Sequence, residues 1–366
     1  MAVIPIRGRR IALVGGAGFI GHNLALRLRA LGAEVSIIDG LMVNNLLTFA
    51  SAGQDVAHRD MYLSMLNTRL DLLHQAGVPL FIQDCRDYNA LSKLIDRIDP
   101  HVVVQLAAVA HANKSNKDPF STFDHSFRTL ENALDCARGR VEHFIYFSSS
   151  MVYGNFRTGI VTEETPCEPI GIYGALKFGG EKLVIAYNQA FGLPYTIIRP
   201  SALYGERCVS RRVGQIFIEN ALHGEEIRVL GDGSDRLDFT FIDDFVSGML
   251  CVLQNDNSIN QIFNLTYGES RSLADMASIV AKHFPDVRVR YVPKDKLTPD
   301  RGTLSVDKAR EYIGYRPEWP LERGFVKYLN WYKQTFGHGN GNGHGKAASG
   351  AASGAASGAR VREVRQ

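Results

Sequence analysis

The stretch Arg10-Ile-Ala-Leu-Val-Gly-Gly-Ala-Gly-Phe-Ile-Gly21 decides the fold. Its apolar run stops at a glycine, which is typical of a buried parallel strand. Residues 19–31 place apolar side chains at helical spacing, and Gly32 follows as a C-cap. Residues 34–38 are again apolar and end at Asp39. The segment therefore predicts a strand–helix–strand crossover.

The same alternation continues through the first 200 residues. Strands are predicted at 80–83, 102–106, 144–147 and 195–198, and helices at 90–98, 120–138 and 174–191. Alternating elements of this kind predict an α/β protein with a Rossmann, doubly wound parallel sheet.

Three segments depart from this rhythm. Residues 201–336 mix short helices and strands and predict a smaller C-terminal lobe. Residues 239–262 are predicted to return from it to the larger domain of residues 1–200. The long connection 44–78 contains a predicted extra surface helix at 60–77, a candidate lid or oligomer contact. Residues 337–366 are rich in Gly, Ala and Ser and are predicted to be a disordered, low-complexity tail.

Composition excludes several classes of protein. The formal net charge is +3, without the basic stripe that a nucleic-acid-binding protein needs. The five cysteines are scattered, so neither a disulfide framework nor a metal site is expected. No apolar stretch is long enough for a membrane span or a signal peptide. We therefore expect a cytoplasmic protein with no nucleic-acid or membrane partner.

The glycines of the opening stretch predict a phosphate-binding turn. Gly15 allows a tight turn, Gly18 lets backbone approach a diphosphate, and Gly21 lets the helix pack on the sheet. Asp39 ends the next strand, where a carboxylate accepts hydrogen bonds from ribose hydroxyls. No arginine follows directly, so NAD is favoured over NADP. The alternative is a structural turn without a ligand.

A tyrosine and a lysine one helical turn apart form the predicted catalytic pair. Tyr173 and Lys177 are spaced i, i+4 and share a helix face. A nearby ammonium lowers the pKa of a phenol, which otherwise is a poor base at neutral pH. Residues 148–150 are serines at the carboxyl end of a predicted strand, where side chains face the ligand crevice. One serine hydroxyl is expected to hold the reacting oxygen while the tyrosine moves its proton.

Together these motifs resemble the extended short-chain dehydrogenase/reductases, in particular the NAD-dependent nucleotide-sugar epimerase/dehydratase family. The resemblance covers about residues 10–335. It includes residues 15–21, 106–108, 148–154, 173–177, 199–200, 204–205, 231–239 and 243–244. It implies a tightly held NAD, a nucleotide-sugar substrate and a homodimer. It also implies that Ser149, Tyr173 and Lys177 are catalytic. The expected cofactor contacts are Gly15, Gly18, Phe19, Ile20, Gly21, Asp39, Asp84, Cys85, Ala107, Ala108, Ser148, Tyr173, Lys177 and Pro200.

Departures from the family pattern narrow the expected reaction. Dehydratases of this family carry Asp-Glu directly after the catalytic Ser or Thr, at the positions where this chain has Ser150 and Met151. Related decarboxylases keep a Glu at the position of Met151. Epimerisation at C4 of the sugar needs neither acid. Ala202 and Leu237 replace residues that usually lie near the substrate. The candidate substrate-binding residues are Lys114, Ser149, Ser150, Arg236 and Arg301.

The leading hypothesis is therefore an NAD-dependent nucleotide-sugar epimerase. The alternatives are a sugar ketoreductase or dehydrogenase, a dehydratase of the same family, and a non-catalytic NAD-binding sensor.

Overall fold

Seven parallel strands form the central sheet. The computed structural model describes residues 4–51, 57–293 and 299–337; the predicted tail, apart from Gly337, lies outside the described residues. The strands of the sheet are β1 (Arg10–Val14), β2 (Glu34–Asp39), β3 (Leu80–Ile82), β4 (Val102–Gln105), β5 (His143–Phe147), β7 (Tyr195–Arg199) and β12 (Gln261–Asn264). Their order is β12-β7-β5-β4-β1-β2-β3, and every neighbouring pair is parallel. The Rossmann-like α/β fold predicted from the alternation is confirmed.

Helices connect these strands on both faces. They are α1 (Phe19–Ala30), α2 (Leu46–Ala50), α3 (Arg59–Gln75), α4 (Tyr88–Ile98), α5 (Ala112–Lys117), α6 (Pro119–Phe123), α7 (Thr129–Ala137), α8 (Gly171–Phe191) and α10 (Ile242–Leu253). The central strands β1, β4 and β5 are buried almost throughout, because helices cover the sheet on either side.

The chain order reverses between β1 and β4. From β1 the sheet grows towards β2 and β3 on one side, and towards β4, β5 and β7 on the other. The connections that leave the carboxyl ends of β1 and β4 therefore diverge and open a crevice between them. This is the position where a parallel α/β sheet binds a ligand.

The smaller lobe is built from short paired strands and three helices. It contains β8 (Leu203–Tyr204), α9 (Val213–Leu222), β9 (Ile227–Leu230), β10 (Arg236–Leu237), β11 (Thr240–Phe241), β13 (Arg271–Ser272), α11 (Leu273–His283), β14 (Val289–Val292) and α13 (Leu321–Phe336). Two further elements, β6 (Ile160–Val161) and β15 (Thr303–Leu304), pair with each other, and α12 (Asp307–Ile313) follows them. Helix α10 and strand β12 return the chain to the large sheet. One hydrophobic cluster contains core residues of both lobes, so they are packed together.

Two local expectations differ from the structure. The segment 120–138 is helical over nearly its whole length, but a π-helical turn at Asp124–Arg128 interrupts the α-helical hydrogen bonding between α6 and α7. Pro119 in the first turn of α6 and the side chain of Asp118, which caps it, define the start of this helical segment. Helix α3 is also more than a surface helix. It buries one face, formed by Tyr62, Met65, Leu66, Arg69 and Leu73. Among the described residues, no helix has the length and apolar composition needed to cross a membrane.

Candidate active site

A cavity of about 540 Å³ lies in the crevice at the carboxyl edge of the sheet. This volume falls within the range of small-molecule sites. Residues from the loops after β1, β2, β4, β5 and β7 line it, together with residues of the smaller lobe. All predicted cofactor contacts are among the lining residues. The structure thus brings together side chains that are up to 185 positions apart in the chain, from Gly15 to Pro200.

The glycine turn after β1 has no room for larger side chains at three of its positions, Gly15, Gly16 and Gly21. Gly15 has a φ of +79°, and a Cβ atom there would lie 2.5 Å from the backbone nitrogen of Ala107. A Cβ at Gly21 would lie 2.3 Å from the carbonyl oxygen of Gly16. The absence of side chains at these glycines allows β1, β4 and α1 to pack close together. Gly18 caps α1 without a side-chain bond, which leaves the first backbone N–H groups of the helix free for an anion.

Asp39 fixes the turn from the end of β2. Its Oδ2 accepts a hydrogen bond from the backbone N–H of Ala17 at 2.9 Å, and its Oδ1 accepts one from Leu41 at 2.7 Å. Burial raises the pKa of this carboxyl group, while the two backbone donors lower it. Each oxygen keeps a further lone pair for a ribose hydroxyl. Asp39 therefore has both a structural role and the free acceptor capacity expected of a ribose contact.

The next strand end supplies Asp84 and Cys85. The guanidinium of Arg86 donates to both oxygens of Asp84 and also to Asp124, and this pairing lowers the pKa of Asp84. Burial raises the pKa of the Cys85 thiol, so the thiol stays protonated and packs as an apolar wall. Asp84 and Cys85 can contact a flat ring, but the carboxylate of Asp84 is already paired with Arg86 and the Cys85 thiol is neutral.

The predicted catalytic residues all line the cavity. Tyr173 is half-buried on α8, and Lys177 lies one turn further along the same helix. The Nζ of Lys177 donates to the carbonyl oxygen of Phe147 at 2.6 Å, which fixes the ammonium below the cavity. Burial lowers the pKa of Lys177 to about 8. Ser149 is buried, and its Oγ accepts a hydrogen bond from the N–H of Met151 at 3.2 Å.

A buried ion pair beneath these residues was not anticipated from the sequence. Glu181 is 1% exposed, and Arg199 holds both its oxygens, at 2.9 Å and 2.7 Å. The hydroxyl of Ser148 donates to the same carboxylate. Arg199 also donates to the hydroxyl of Tyr153 at 2.9 Å. The pair thus links α8 to the ends of β5 and β7 below the reactive side chains, although nothing in the local sequence distinguishes Glu181 from a surface residue.

The far end of the cavity is rich in arginine. Arg301 donates to the hydroxyl groups of Ser150, at 2.8 Å, and Ser201, at 3.2 Å. Burial lowers the pKa of Arg301 to about 10, and Tyr173 acts on it electrostatically in the opposite direction. Arg212 acts electrostatically on Arg301, whereas Arg211, which also lines the cavity, lies 4.0 Å from the carboxylate of Glu219. The guanidiniums of Arg212 and Arg301 give this part of the cavity a positive potential suited to phosphate groups.

His111 also faces this end, and sequence reasoning missed it. Burial is the main cause that lowers its pKa to about 4, followed by Arg212 and Lys114, so the ring is neutral at pH 7. Its Nδ1 atom is buried without a hydrogen-bond partner in the described part of the chain. His111, Arg211 and Arg212 belong to loops without a recognisable motif, and only tertiary folding brings them to the cavity.

Two predicted substrate contacts do not reach the cavity. Lys114 is exposed and donates to the side chain of Asn44, which does line it. Arg236 is exposed on β10, and its guanidinium donates to the hydroxyl and the carbonyl oxygen of Ser270. Because β10 pairs with β13, Arg236 lies beside that partner strand while Leu237 faces the cavity.

The comparison with known families agrees with this geometry. A family model described as the NAD dependent epimerase/dehydratase family matches residues 11–266. The chain belongs to this family. Its NAD dependence follows from that membership, and solved structures similar to the chain contain NAD.

Relatives in the epimerase/dehydratase family have different activities. A putative UDP-glucose 4-epimerase of Methanocaldococcus jannaschii is 28% identical over 89% of this chain and 99% of its own length. A dTDP-glucose 4,6-dehydratase of Xanthomonas campestris is 25% identical over 89% of this chain and 94% of its own. The crystal structure of a UDP-glucuronic acid 4-epimerase from Bacillus cereus, with UDP-glucuronic acid and NAD, is 26% identical, has a TM-score of 0.76, and matches over 89% of this chain and 99% of that one.

The residues present fit NAD. A diphosphate placed at Gly18 meets the free N–H groups of α1, and a ribose beside Asp39 meets an acceptor. Tyr173, Lys177 and Ser149 then line the part of the cavity that continues from β5 towards the smaller lobe. The arrangement provides a phenol as proton donor or acceptor, a buried ammonium, and a positive region for an anionic substrate.

Proposed function

We propose that the protein is a nucleotide-sugar 4-epimerase that uses a tightly bound NAD. One observation carries the choice between epimerase and dehydratase. Of the described residues that line the cavity, only Asp39 and Asp84 are acidic, and both belong to the part assigned to the cofactor. Elimination of water from a sugar needs a further acid and base near the leaving hydroxyl. Ser150 and Met151 occupy the neighbourhood of Tyr173 where such groups would be required.

The proposed reaction begins with the sugar hydroxyl between Ser149 and Tyr173. Ser149 holds the hydroxyl oxygen, and the deprotonated Tyr173 removes its proton. Bound NAD would accept the hydride from the carbon and later give it back. The ketone then rotates in the cavity, so that the hydride would return to the opposite face of the same carbon. Tyr173 returns the proton to the carbonyl oxygen, which becomes the new hydroxyl. Substrate and product are then isomers, with no net oxidation.

Lys177 supports this proton transfer electrostatically. Its ammonium is held by the Phe147 carbonyl, and Lys177 and Tyr173 lie one helical turn apart on α8. A positive charge close to a phenol stabilises the phenolate more than the phenol. Burial lowers the pKa of Lys177, while the nearby carboxylate of Glu181 raises it and so favours the charged ammonium.

The arginine-rich end supports a nucleotide-sugar substrate. Arg212 and Arg301 line the cavity and act electrostatically on each other, and Tyr173 also acts on Arg301. A guanidinium binds phosphate oxygens in a two-pronged geometry, which suits the diphosphate between a nucleoside and a sugar.

The proposal includes a homodimer that acts in the cytoplasm. Phe120 and Phe123 lie on α6 and are 83% and 43% exposed, which is unusual for neighbouring large apolar residues. Analytical ultracentrifugation tests the dimer: sedimentation as a monomer at micromolar concentration contradicts it. Fractionation of the native cells tests the location.

Product analysis tests the reaction. The purified protein is incubated with UDP-, dTDP-, CDP- and GDP-sugars in D2O, and the products are examined by NMR. Epimerisation yields a sugar inverted at C4 with no deuterium on carbon, because the hydride returns from the cofactor. A 4-keto-6-deoxy product or deuterium at C5 instead identifies a dehydratase. Net consumption of added NAD or NADH identifies a dehydrogenase or reductase, and no turnover with Tyr173 intact supports a non-catalytic sensor.

A further inference from the structure

Helix α3, the extra helix of the long connection after β2, brings a buried arginine to the cofactor cavity. Arg69 is 1% exposed and is among the residues that line the cavity. Its Nε and Nη2 atoms both donate to the backbone carbonyl of Arg207. Its Nη1 atom is buried and has no hydrogen-bond partner in the described part of the chain. A guanidinium is therefore buried with only a neutral partner.

The surroundings of Arg69 place it near the first turn of α1. Arg69 and Arg207 both act electrostatically on His22, which lies on that turn and is fully buried. Arg207 also donates to the Nε2 of His22 at 3.1 Å. Asp39 interacts electrostatically with Arg69 but already accepts two backbone hydrogen bonds. Arg207 is paired with the carboxylate of Glu206 at 3.3 Å, so Arg69 is the guanidinium in this group that lacks a hydrogen-bonded carboxylate in the described part of the chain.

Burying a cation without a hydrogen-bonded anion costs free energy, and Asp39 acts on Arg69 electrostatically without a hydrogen bond between them. The missing anion belongs where free N–H groups and a helix dipole already favour negative charge, which is the N-terminus of α1. We propose that Arg69 binds the diphosphate of the dinucleotide cofactor, so that α3 supplies a cofactor contact from outside the glycine turn. The inserted segment is then part of the cofactor site, and its buried face positions Arg69.

Binding measurements on the full-length protein test this role. After removal of any copurified cofactor, NAD, NADP, ADP and adenosine are titrated into the wild type and into Arg69→Met by isothermal titration calorimetry. Arg59→Met is the matched control, because Arg59 lies on the same helix and also donates to a backbone carbonyl, that of Phe49, but does not line the cavity. Thermal unfolding of each cofactor-free variant is measured in parallel.

The expected result separates the diphosphate from the nucleoside. Loss of a charge-assisted hydrogen bond weakens binding of NAD and ADP by roughly tenfold or more in Arg69→Met. Adenosine has no phosphate, so its affinity stays within about twofold of wild type. Arg59→Met binds every ligand as the wild type does. The cofactor-free Arg69→Met protein melts no lower than wild type, since the substitution removes an unpaired buried charge.

Three results overturn the proposal. Unchanged NAD and ADP affinity in folded Arg69→Met removes the diphosphate contact. An equal loss for adenosine assigns Arg69 to the ribose or adenine. A loss confined to NADP assigns it to a 2′-phosphate. If Arg69→Met does not fold, Arg69→Lys replaces it: the lysine keeps the charge but loses the two-pronged geometry, so ADP must weaken while adenosine does not.

Discussion

The substitution Glu181→Gln removes the charge from one side of the buried pair beneath the catalytic residues. Glu181 and Arg199 are 1% and 3% exposed, so solvent cannot replace the lost carboxylate. An amide keeps the shape of the side chain but turns an N–H group towards guanidinium donors. Removing one partner of such a pair leaves an uncompensated buried charge, and the expected loss in the free energy of unfolding is about 3–5 kcal/mol.

Chemical unfolding in urea, followed by circular dichroism, measures this loss. The control is Glu168→Gln, which removes the same charge from an exposed pair with Arg157, where side-chain exposures are 62% and 78%. Exposed pairs contribute less than about 1 kcal/mol. The double variant Glu181→Leu/Arg199→Met replaces both charges by apolar groups and should lose less than Glu181→Gln alone. A loss below about 1 kcal/mol for Glu181→Gln, or a double variant at least as unstable as the single one, refutes the reasoning.

Three further changes test the catalytic and cofactor assignments. Tyr173→Phe removes the group that moves the proton and should lower turnover by about 10²–10⁴-fold while NAD stays bound; near-normal kcat on the natural substrate contradicts the assignment. Asp39→Ala removes the acceptor of the Ala17 and Leu41 N–H groups and of the ribose, so NAD affinity measured by calorimetry should fall, and unchanged affinity speaks against the cofactor placement. Lys177→Met removes an amine whose folded pKa, about 8, is below the ordinary 10.5. A depressed lysine pKa destabilises the fold below about pH 8, and this cost fades as the pH rises towards 10.5. In urea melts, the cofactor-free wild type should therefore gain about 3 kcal/mol in the free energy of unfolding relative to Lys177→Met between pH 7 and pH 10.5, and a difference that stays constant over this range disproves the shift.

The residues of the proposed cofactor half of the site could be picked out from the sequence because their determinants are local. The glycine turn, Asp39 and the Tyr173–Lys177 pair each lie within one short segment, and their backbone requirements are visible in residue type. The alternation of apolar runs and helical spacing then places these segments at one edge of a parallel sheet. The structure shows all of them lining one cavity.

The rest depends on contacts between distant segments. Arg212 meets Ala110 across 102 positions of the chain, and Arg69 meets Arg207 across 138. The sequence predicts Arg236 as a substrate contact, but in the structure β10 pairs with β13 and the guanidinium of Arg236 donates to Ser270. A residue type alone does not say whether a charge is solvated or buried, since burial is decided by the packing of other elements.

The surroundings of Met151 connect the missing acids with the arginine-rich end. The guanidinium of Arg301 contacts the Sδ of Met151 and the hydroxyl of Ser150. A carboxyl group at position 151 would meet this charge, which would keep it ionised and make it a poor proton donor. Arg301 therefore disfavours a proton-donating carboxylic acid at this position, because the ion pair would stabilise the deprotonated form. An uncharged thioether instead leaves the charge of Arg301 available to an anionic substrate, which agrees with the proposed epimerase.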